Sequence, residues 1–142
     1  MESKKIKIKI ASEKYVEDGV ERTETVTDAE LLRDGEKTSI VYSEGESSGM
    51  QGAKTRISFS DNAPTIVTMK RGGAGFVSAL VFDEGKKNTC VYHTPIMSFD
   101  IDICATSVEN RLLDEGYIAL DYVIEIRGAD AERNCVRVSV VK

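Results

Sequence analysis

The chain has 142 residues, of which 41% are hydrophobic and 30% are charged, and its 24 acidic and 19 basic side chains give a formal net charge of −5. This length is typical of one domain with one hydrophobic core, so we predict a single domain over residues 1–142. The acidic balance argues against binding to a nucleic-acid backbone or to an anionic membrane face, and no apolar run approaches the roughly 20 residues that a membrane-spanning helix needs.

The first predicted strand has one charged face and one apolar face. Residues 5–10 read Lys-Ile-Lys-Ile-Lys-Ile, and this period of two is typical of a half-buried strand whose lysines face solvent. The alternation also lacks the continuous apolar segment of a secretory signal peptide. We therefore expect a cytoplasmic protein.

Period-two alternation continues along the chain, and turn residues separate the runs. The predicted strands are residues 4–11, 19–27, 29–33, 37–44, 54–60, 64–71, 76–83, 87–94, 96–106, 117–127 and 132–141. The connections between them are too short for crossover helices, which favours antiparallel pairing. Residues 28–33 and 107–116 also fit a short helix, the second because it has a serine at its start and a glycine at its end.

The second half of the chain has the clearest apolar face, because Phe99, Ile101 and Ile103 alternate with Asp100 and Asp102. An antiparallel meander hides such a face either by packing two sheets together or by closing into a barrel. Short hairpin connections favour the barrel. We therefore predict an all-β fold, a single antiparallel up-and-down β-barrel of about 8–10 strands with minimal helix.

Few residues of the types that carry metal or covalent chemistry are present. Cys90, Cys104 and Cys135 lack Cys-x-x-Cys spacing and fall within strand-like runs, so we expect buried free thiols. His93 is the only histidine, which excludes a multi-histidine metal site. The one Gly-x-Ser-x-Gly match, residues 45–49, falls in an irregular segment and not in a strand-to-helix turn, so it does not indicate a nucleophile elbow. We therefore predict no metal, no cofactor and no catalytic residue.

Three further segments each have two interpretations. Residues 72–75 read Gly-Gly-Ala-Gly, and because a strand follows instead of a helix, a hairpin turn is favoured over a phosphate-binding loop. Asp100 and Asp102 have core neighbours, which favours solvated carboxylates over a cation site. The irregular segment 44–53 is either a lid over a barrel opening or a slack connection.

Several motifs occur in the order expected for the YwiB-like family, which the chain resembles. They are Tyr42-Ser43-Glu44, Gly49-Met50, Arg71-Gly72-Gly73, Phe82 with Asp83-Glu84-Gly85, Tyr92-His93-Thr94-Pro95, the strand Phe99 to Ile103, Thr106, and Gly116 to Tyr122. The resemblance covers nearly the whole chain and implies a small bacterial cytoplasmic protein with a calycin-like, lipocalin-type β-barrel. This chain departs from the family pattern after the Thr-Pro pair, where Ile96 and Met97 replace an aromatic residue and a glycine.

Polar-tipped side chains near the core face predict a ligand site in the barrel interior and at its mouth. Three tyrosines are in phase with the core, and an arginine and a threonine accompany them with a less regular phase. Such side chains either cap a filled core by hydrogen bonding or line a ligand cavity. The predicted ligand-binding residues are Tyr42, Arg71, Tyr92, Thr94 and Tyr122.

Two classes of function stay open. The first is a non-catalytic binding protein for a small, mainly apolar ligand or for a protein partner. The alternative is a small enzyme with a site at the barrel mouth near Tyr92, His93 and Arg71. The first class is favoured because the sequence contains no recognisable nucleophile and base pair.

Overall fold

A computed structural model describes residues 2–45, 50–126 and 131–141. These residues form ten strands: β1 Glu2–Val16, β2 Gly19–Asp34, β3 Lys37–Ser43, β4 Lys54–Ser60, β5 Ala63–Gly73, β6 Phe76–Asp83, β7 Lys87–His93, β8 Ser98–Arg111, β9 Tyr117–Ile126 and β10 Glu132–Val141. One short helix, α1 (Leu112–Glu115), lies between β8 and β9.

The strands form one closed barrel in which each strand pairs antiparallel with its neighbours along the chain. The first and last strands complete the ring, because β1 pairs with β10 from Lys7 opposite Val141 to Tyr15 opposite Arg133. Closure pairs the backbone groups that an open sheet leaves free at its edges. The predicted all-β, up-and-down barrel is confirmed.

Inward-facing apolar side chains form the hydrophobic core of the barrel. Ile101 and Ile103 are 1% and 0% exposed, which confirms the apolar face predicted for residues 99–103. On the opposite face of the same strand, Asp102 accepts a hydrogen bond from Thr89 at 2.6 Å and lies 3.4 Å from Lys87. This carboxylate belongs to the outer wall.

Several predicted boundaries are wrong. The first strand was predicted to end at residue 11 and continues to Val16. The runs 19–27 and 29–33 form the single strand β2, because the ladder with β1 continues through Lys7 opposite Asp28. The predicted helix over 107–116 is reduced to Leu112–Glu115, since residues 107–111 extend β8 and pair with β9. Sheet pairing and burial of Val108, which is 6% exposed, outweigh the local helix signal.

Three hairpin loops pack closely at one end of the barrel. We term this end, which carries the β3–β4, β5–β6 and β7–β8 hairpins, the upper end. A Cβ added to Gly73, whose φ is +112°, would lie 2.9 Å from the Gly52 carbonyl oxygen, and one added to Gly75 would lie 2.8 Å from Pro95 Cγ. Glycine is therefore required at both positions. The hairpin turn predicted for residues 72–75 is confirmed.

The cysteines are free in the structure, with Cys90 buried and Cys104 and Cys135 half-buried. The predicted full burial therefore applies only to Cys90. Within the described ranges, no group of three or more His, Cys, Asp or Glu side chains is arranged to hold a metal ion. No helix in the described part of the chain has the length and apolar composition to cross a membrane.

Candidate functional site

Four polar side chains meet inside the barrel near its upper end, and we term Tyr42, Glu44, Thr55 and Arg71 the polar cluster. The register places Tyr42 opposite Thr55 and Thr55 opposite Arg71 on the adjacent strands β3, β4 and β5, and Glu44 directly follows β3. Tyr42 is 7% exposed and Thr55 is fully buried. The side chains of Glu44 and Arg71 are 7% and 11% exposed. The cluster is therefore almost completely shielded from solvent.

Hydrogen bonds connect the members of the polar cluster, with Tyr42 bonded to Thr55 and Glu44. Thr55 Oγ1 donates to Glu44 Oε1 at 2.6 Å and accepts from Arg71 Nε at 3.1 Å. Arg71 Nη2 lies 3.3 Å from the same Glu44 oxygen. Because a carboxylate compensates the guanidinium, the pair carries no net charge inside the barrel.

Burial changes the acidity of two tyrosines at this end. Burial raises the pKa of Tyr42 to about 12, and the Glu44 carboxylate adds to the rise while Arg71 opposes it. Burial also raises the pKa of Tyr122 to about 12, against the opposing charge of Arg71. Both hydroxyls are therefore protonated at neutral pH and able to donate a hydrogen bond.

We expect Tyr42 and Tyr122 to ionise near pH 12 in the folded protein, compared with 10.0 for an ordinary tyrosine. Because the folded-state pKa is raised, their contribution to stability is fully present below pH 10 and is lost as the pH rises through 12. Tyrosinate absorbance of wild type, Tyr42→Phe and Tyr122→Phe measures the two steps. Ionisation of every tyrosine near pH 10 in the folded protein would contradict the assignment.

Aromatic side chains line the interior beside the polar cluster, and we term Phe82, Tyr92, Phe99 and Tyr122 the aromatic wall. The rings of Tyr92 and Phe99 stack with centroids 5.5 Å apart, and those of Phe82 and Tyr122 meet edge to face at 4.8 Å. The Tyr92 hydroxyl donates to Met50 Sδ at 3.4 Å. An amphipathic ligand could therefore contact apolar rings and buried polar groups at the same end.

Three members of the aromatic wall are more accessible than the fourth, Phe82, which is fully buried. Tyr92, Phe99 and Tyr122 face inward but are only half-buried. Lower in the barrel, Ile118 and Leu120 on the same strand as Tyr122 are 1% and 4% exposed. These three inward-facing side chains therefore keep partial contact with solvent.

The structure brings together four of the five predicted ligand-binding residues. Tyr42 and Arg71 belong to the polar cluster, and Tyr92 and Tyr122 belong to the aromatic wall. Thr94 is placed differently, because its Oγ1 donates to the Met97 carbonyl at 2.9 Å and accepts from the Met97 amide at 3.1 Å. Its hydroxyl stabilises the β7–β8 turn.

The residues of the predicted enzyme alternative are divided between two faces of the barrel. His93 is exposed and lies opposite Val77, which is 54% exposed on the outer wall. The His93 Nδ1 atom lies 2.5 Å from Ser98 Oγ. Arg71 faces the interior, so the structure does not bring His93 and Arg71 into one constellation.

Sequence reasoning missed Glu44 and Thr55. Glu44 fell at the start of a segment predicted to be irregular, and Thr55 is a small polar residue within a strand. The alternation could have identified both residues, because side chains two positions apart on a strand face the same side. Glu44 is two residues after the inward-facing Tyr42, and Thr55 is two residues before the inward-facing Ile57.

The segment 44–53, for which a lid and a slack connection were both considered, is anchored at its two ends. The Glu44 amide donates to the Ala53 carbonyl at 2.9 Å, and the Ala53 amide donates to the Met50 carbonyl at 3.0 Å. Residues 46–49 lie outside the described residues, and the predicted turn Gly128-Ala129-Asp130 does so too. The two interpretations of the segment therefore both stand.

Two open clefts lie away from this site. One of about 520 Å³ is formed by β3, β4 and β5 and includes Phe59 and Ile66. The other, of about 570 Å³, is lined by residues 4–7, Asp28, Val140 and Val141. Neither cleft contains a member of the polar cluster or the aromatic wall. The candidate site is therefore identified by its buried chemistry and not by cleft size.

Comparisons with known proteins agree with this architecture. Residues 6–138 match the family described as "Domain of unknown function (DUF1934)". The crystal structure of ywiB protein from Bacillus subtilis superimposes with a TM-score of 0.75 at 16% sequence identity, over 99% of this chain and 94% of that chain. At this identity the structural likeness shows the fold. A search of the curated proteins found no match.

Proposed function

Since the chain belongs to the DUF1934 domain family, we propose from the geometry of its site that the barrel is a non-catalytic binding protein for one small, mainly apolar ligand. The ligand enters at the upper end and lies between the aromatic wall and the polar cluster. The observation that carries the proposal is the combination of three inward-facing, partly exposed aromatic rings with a buried ion pair at the same end.

The buried ion pair between Arg71 and Glu44 is better explained by ligand binding than by stabilisation of the core. Apolar residues of similar volume stabilise a protein interior as well as a buried ion pair does, or better, because two charges must be taken out of water. Arg71 and Glu44 are nevertheless held inside the barrel by Thr55. A fixed polar group in an apolar interior is the usual means by which a binding site orients its ligand.

Apolar contact would supply most of the binding free energy. Burial of about 300 Å² of ligand surface corresponds to roughly 7 kcal/mol at 25 cal/mol per Å², before the cost of immobilising the ligand is subtracted. A tyrosine hydroxyl of the aromatic wall would add about 1 kcal/mol and set the orientation of a polar head.

Binding of the neutral probe N-phenyl-1-naphthylamine tests the proposal. We expect one probe molecule per chain, displaceable by 1-decanol. Tyr122→Phe is expected to weaken 1-decanol about fivefold, which corresponds to the loss of one hydrogen bond of about 1 kcal/mol. Fluorescence titration gives both affinities, and native mass spectrometry of gently purified protein detects any copurified ligand.

Tyr117→Phe is the matched control. Tyr117 lies on β9 as Tyr122 does, but it faces outward and donates to Glu109. This variant is expected to bind 1-decanol as wild type does. Absence of both probe binding and copurified ligand would overturn the proposal, as would equal effects of the two tyrosine substitutions.

A further inference from the structure

Ser78 is a buried hydroxyl without a partner. It lies on β6 two residues before Leu80, shares the inward phase of that residue and is 6% exposed. Among the described residues, Ser78 Oγ is the one buried side-chain nitrogen or oxygen that has no hydrogen-bond partner. Buried polar groups in native proteins are nearly always paired, so this exception calls for a partner that the chain itself does not provide.

Ser78 lies between the polar cluster and the aromatic wall. The register places it directly opposite Arg71 on β5, and the side chains of such a pair start about 5 Å apart at their Cβ atoms. On its other side, the pairing of Val77 with His93 places Tyr92 beside Ser78. The unpaired hydroxyl is therefore located where the ligand is proposed to bind.

Arg71 retains donor capacity. Its hydrogen bonds use Nε toward Thr55 and Nη2 toward Glu44 and Met69. Arginine has five N–H donors, and within the described part of the chain no bond uses Nη1. A ligand oxygen near Ser78 could therefore accept from both side chains.

We propose that Ser78 Oγ and Arg71 Nη1 hold the polar head of the ligand, and that this head is an uncharged hydrogen-bond acceptor such as an alcohol, ketone or ester oxygen. The inference rests on the proposed binding function and names the chemical class of its ligand. Ser78 donates its hydroxyl proton to the head oxygen, and Arg71 donates one N–H to it.

Charge excludes an ionised head from this position. Glu44 already compensates Arg71 at 3.3 Å, so a carboxylate or ammonium on the ligand would be buried without a counter-ion. An unpaired buried charge is far more costly than an unpaired hydroxyl. An uncharged acceptor satisfies Ser78 and leaves the ion pair intact.

Displacement of N-phenyl-1-naphthylamine by ligands of equal chain length tests this assignment. We expect 1-decanol to displace the probe at concentrations at least tenfold lower than decanoate or decyltrimethylammonium. Ser78→Ala is expected to weaken 1-decanol three- to tenfold, the range for one hydrogen bond of about 0.7–1.4 kcal/mol, once displacement is corrected for the probe affinity measured in the same variant.

Ser58→Ala is the matched control, because Ser58 is also 6% exposed but lies in the outward phase of β4, next to inward-facing Ile57. It is expected to leave 1-decanol binding unchanged. Ligand-free Ser78→Ala is expected to unfold at the same or a higher denaturant concentration than wild type, because it removes an unsatisfied hydroxyl. A purely structural role of Ser78 predicts the opposite shift.

The outcomes separate this inference from the proposed function. If decanoate displaces the probe better than 1-decanol does, or if Ser78→Ala binds 1-decanol as wild type does, the assignment of an uncharged head is wrong. The proposed binding function still stands in that case, provided that wild type binds the probe. Failure of wild type to bind the probe or any copurified ligand overturns the carrier, and the assignment of its head group with it.

Discussion

Replacing Glu44 by alanine is expected to lower the free energy of unfolding by about 3–5 kcal/mol. Glu44 Oε1 is the acceptor for both Thr55 Oγ1 and Arg71 Nη2, and the side chains of Glu44 and Arg71 are 7% and 11% exposed. Without the carboxylate, the guanidinium would be a buried charge without a counter-ion. The loss would far exceed that of an ordinary hydrogen bond.

Equilibrium urea unfolding measures this loss, and Glu24→Ala provides the matched control. Glu24 pairs with Lys9 at 3.2 Å, but the two side chains are 60% and 43% exposed. A surface pair of this kind contributes about 0–1 kcal/mol. Similar losses in Glu44→Ala and Glu24→Ala would show that the pair at the upper end is open to water.

Simultaneous replacement of Glu44 and Arg71 by leucine and methionine is expected to recover most of the stability that Glu44→Ala loses. Removal of both charges eliminates the desolvation cost instead of leaving one charge unpaired. The same double variant is expected to bind 1-decanol more weakly because it lacks the Arg71 donor, and to keep its preference for 1-decanol over decanoate because the interior still offers no counter-ion. Recovery of stability with unchanged 1-decanol affinity would contradict the role assigned to Arg71.

Phe82→Ala is expected to destabilise the barrel by about 3–5 kcal/mol, the range for truncating a fully buried aromatic ring. Phe82 is 0% exposed on β6 and contacts the Tyr122 ring edge to face with centroids 4.8 Å apart. The substitution removes apolar burial and leaves a cavity between the core and the ligand site. Thermal or urea unfolding gives the magnitude.

Two variants on β6 serve as controls for this effect. Phe82→Leu retains most of the volume and is expected to cost less than about 2 kcal/mol. Val77→Ala, at an outer-wall position that is 54% exposed, is expected to stay within about 0.5 kcal/mol of wild type. A loss below about 1 kcal/mol for Phe82→Ala would mean that the interior is loosely packed around this ring.

Much of the fold could be predicted because period-two alternation identifies the strands and turn residues identify where they end. Residues 99–103 alternate strictly, and the structure buries Ile101 and Ile103 as expected. The short helix that residues 107–116 also fit is confined to Leu112–Glu115, because pairing with β9, a long-range contact, competes with the local signal and extends β8 to Arg111. Boundaries that depend on a neighbouring strand are not encoded in the local pattern.

The candidate site was predicted in part. Tyr42 and Tyr122 could be predicted because they are side chains with a polar tip at positions that alternate with the core face of their strands. Arg71 and Glu44 are separated by 27 positions, and their pairing depends on the registers of β3 with β4 and of β4 with β5. The orphan hydroxyl of Ser78 has no sequence signature, since a serine in a strand is equally compatible with a surface position.

The sequence by itself determined that this chain forms strands, where most of them turn and which face of each strand is apolar, because period-two alternation and glycine-rich turns act over a few residues. Only the tertiary structure decided that the barrel closes through β1 and β10, and that Glu44, Thr55, Ser78 and Arg71 come together on the inner face of adjacent strands. Those relations arise from strand register, which distant parts of the chain set together when they bury a common core.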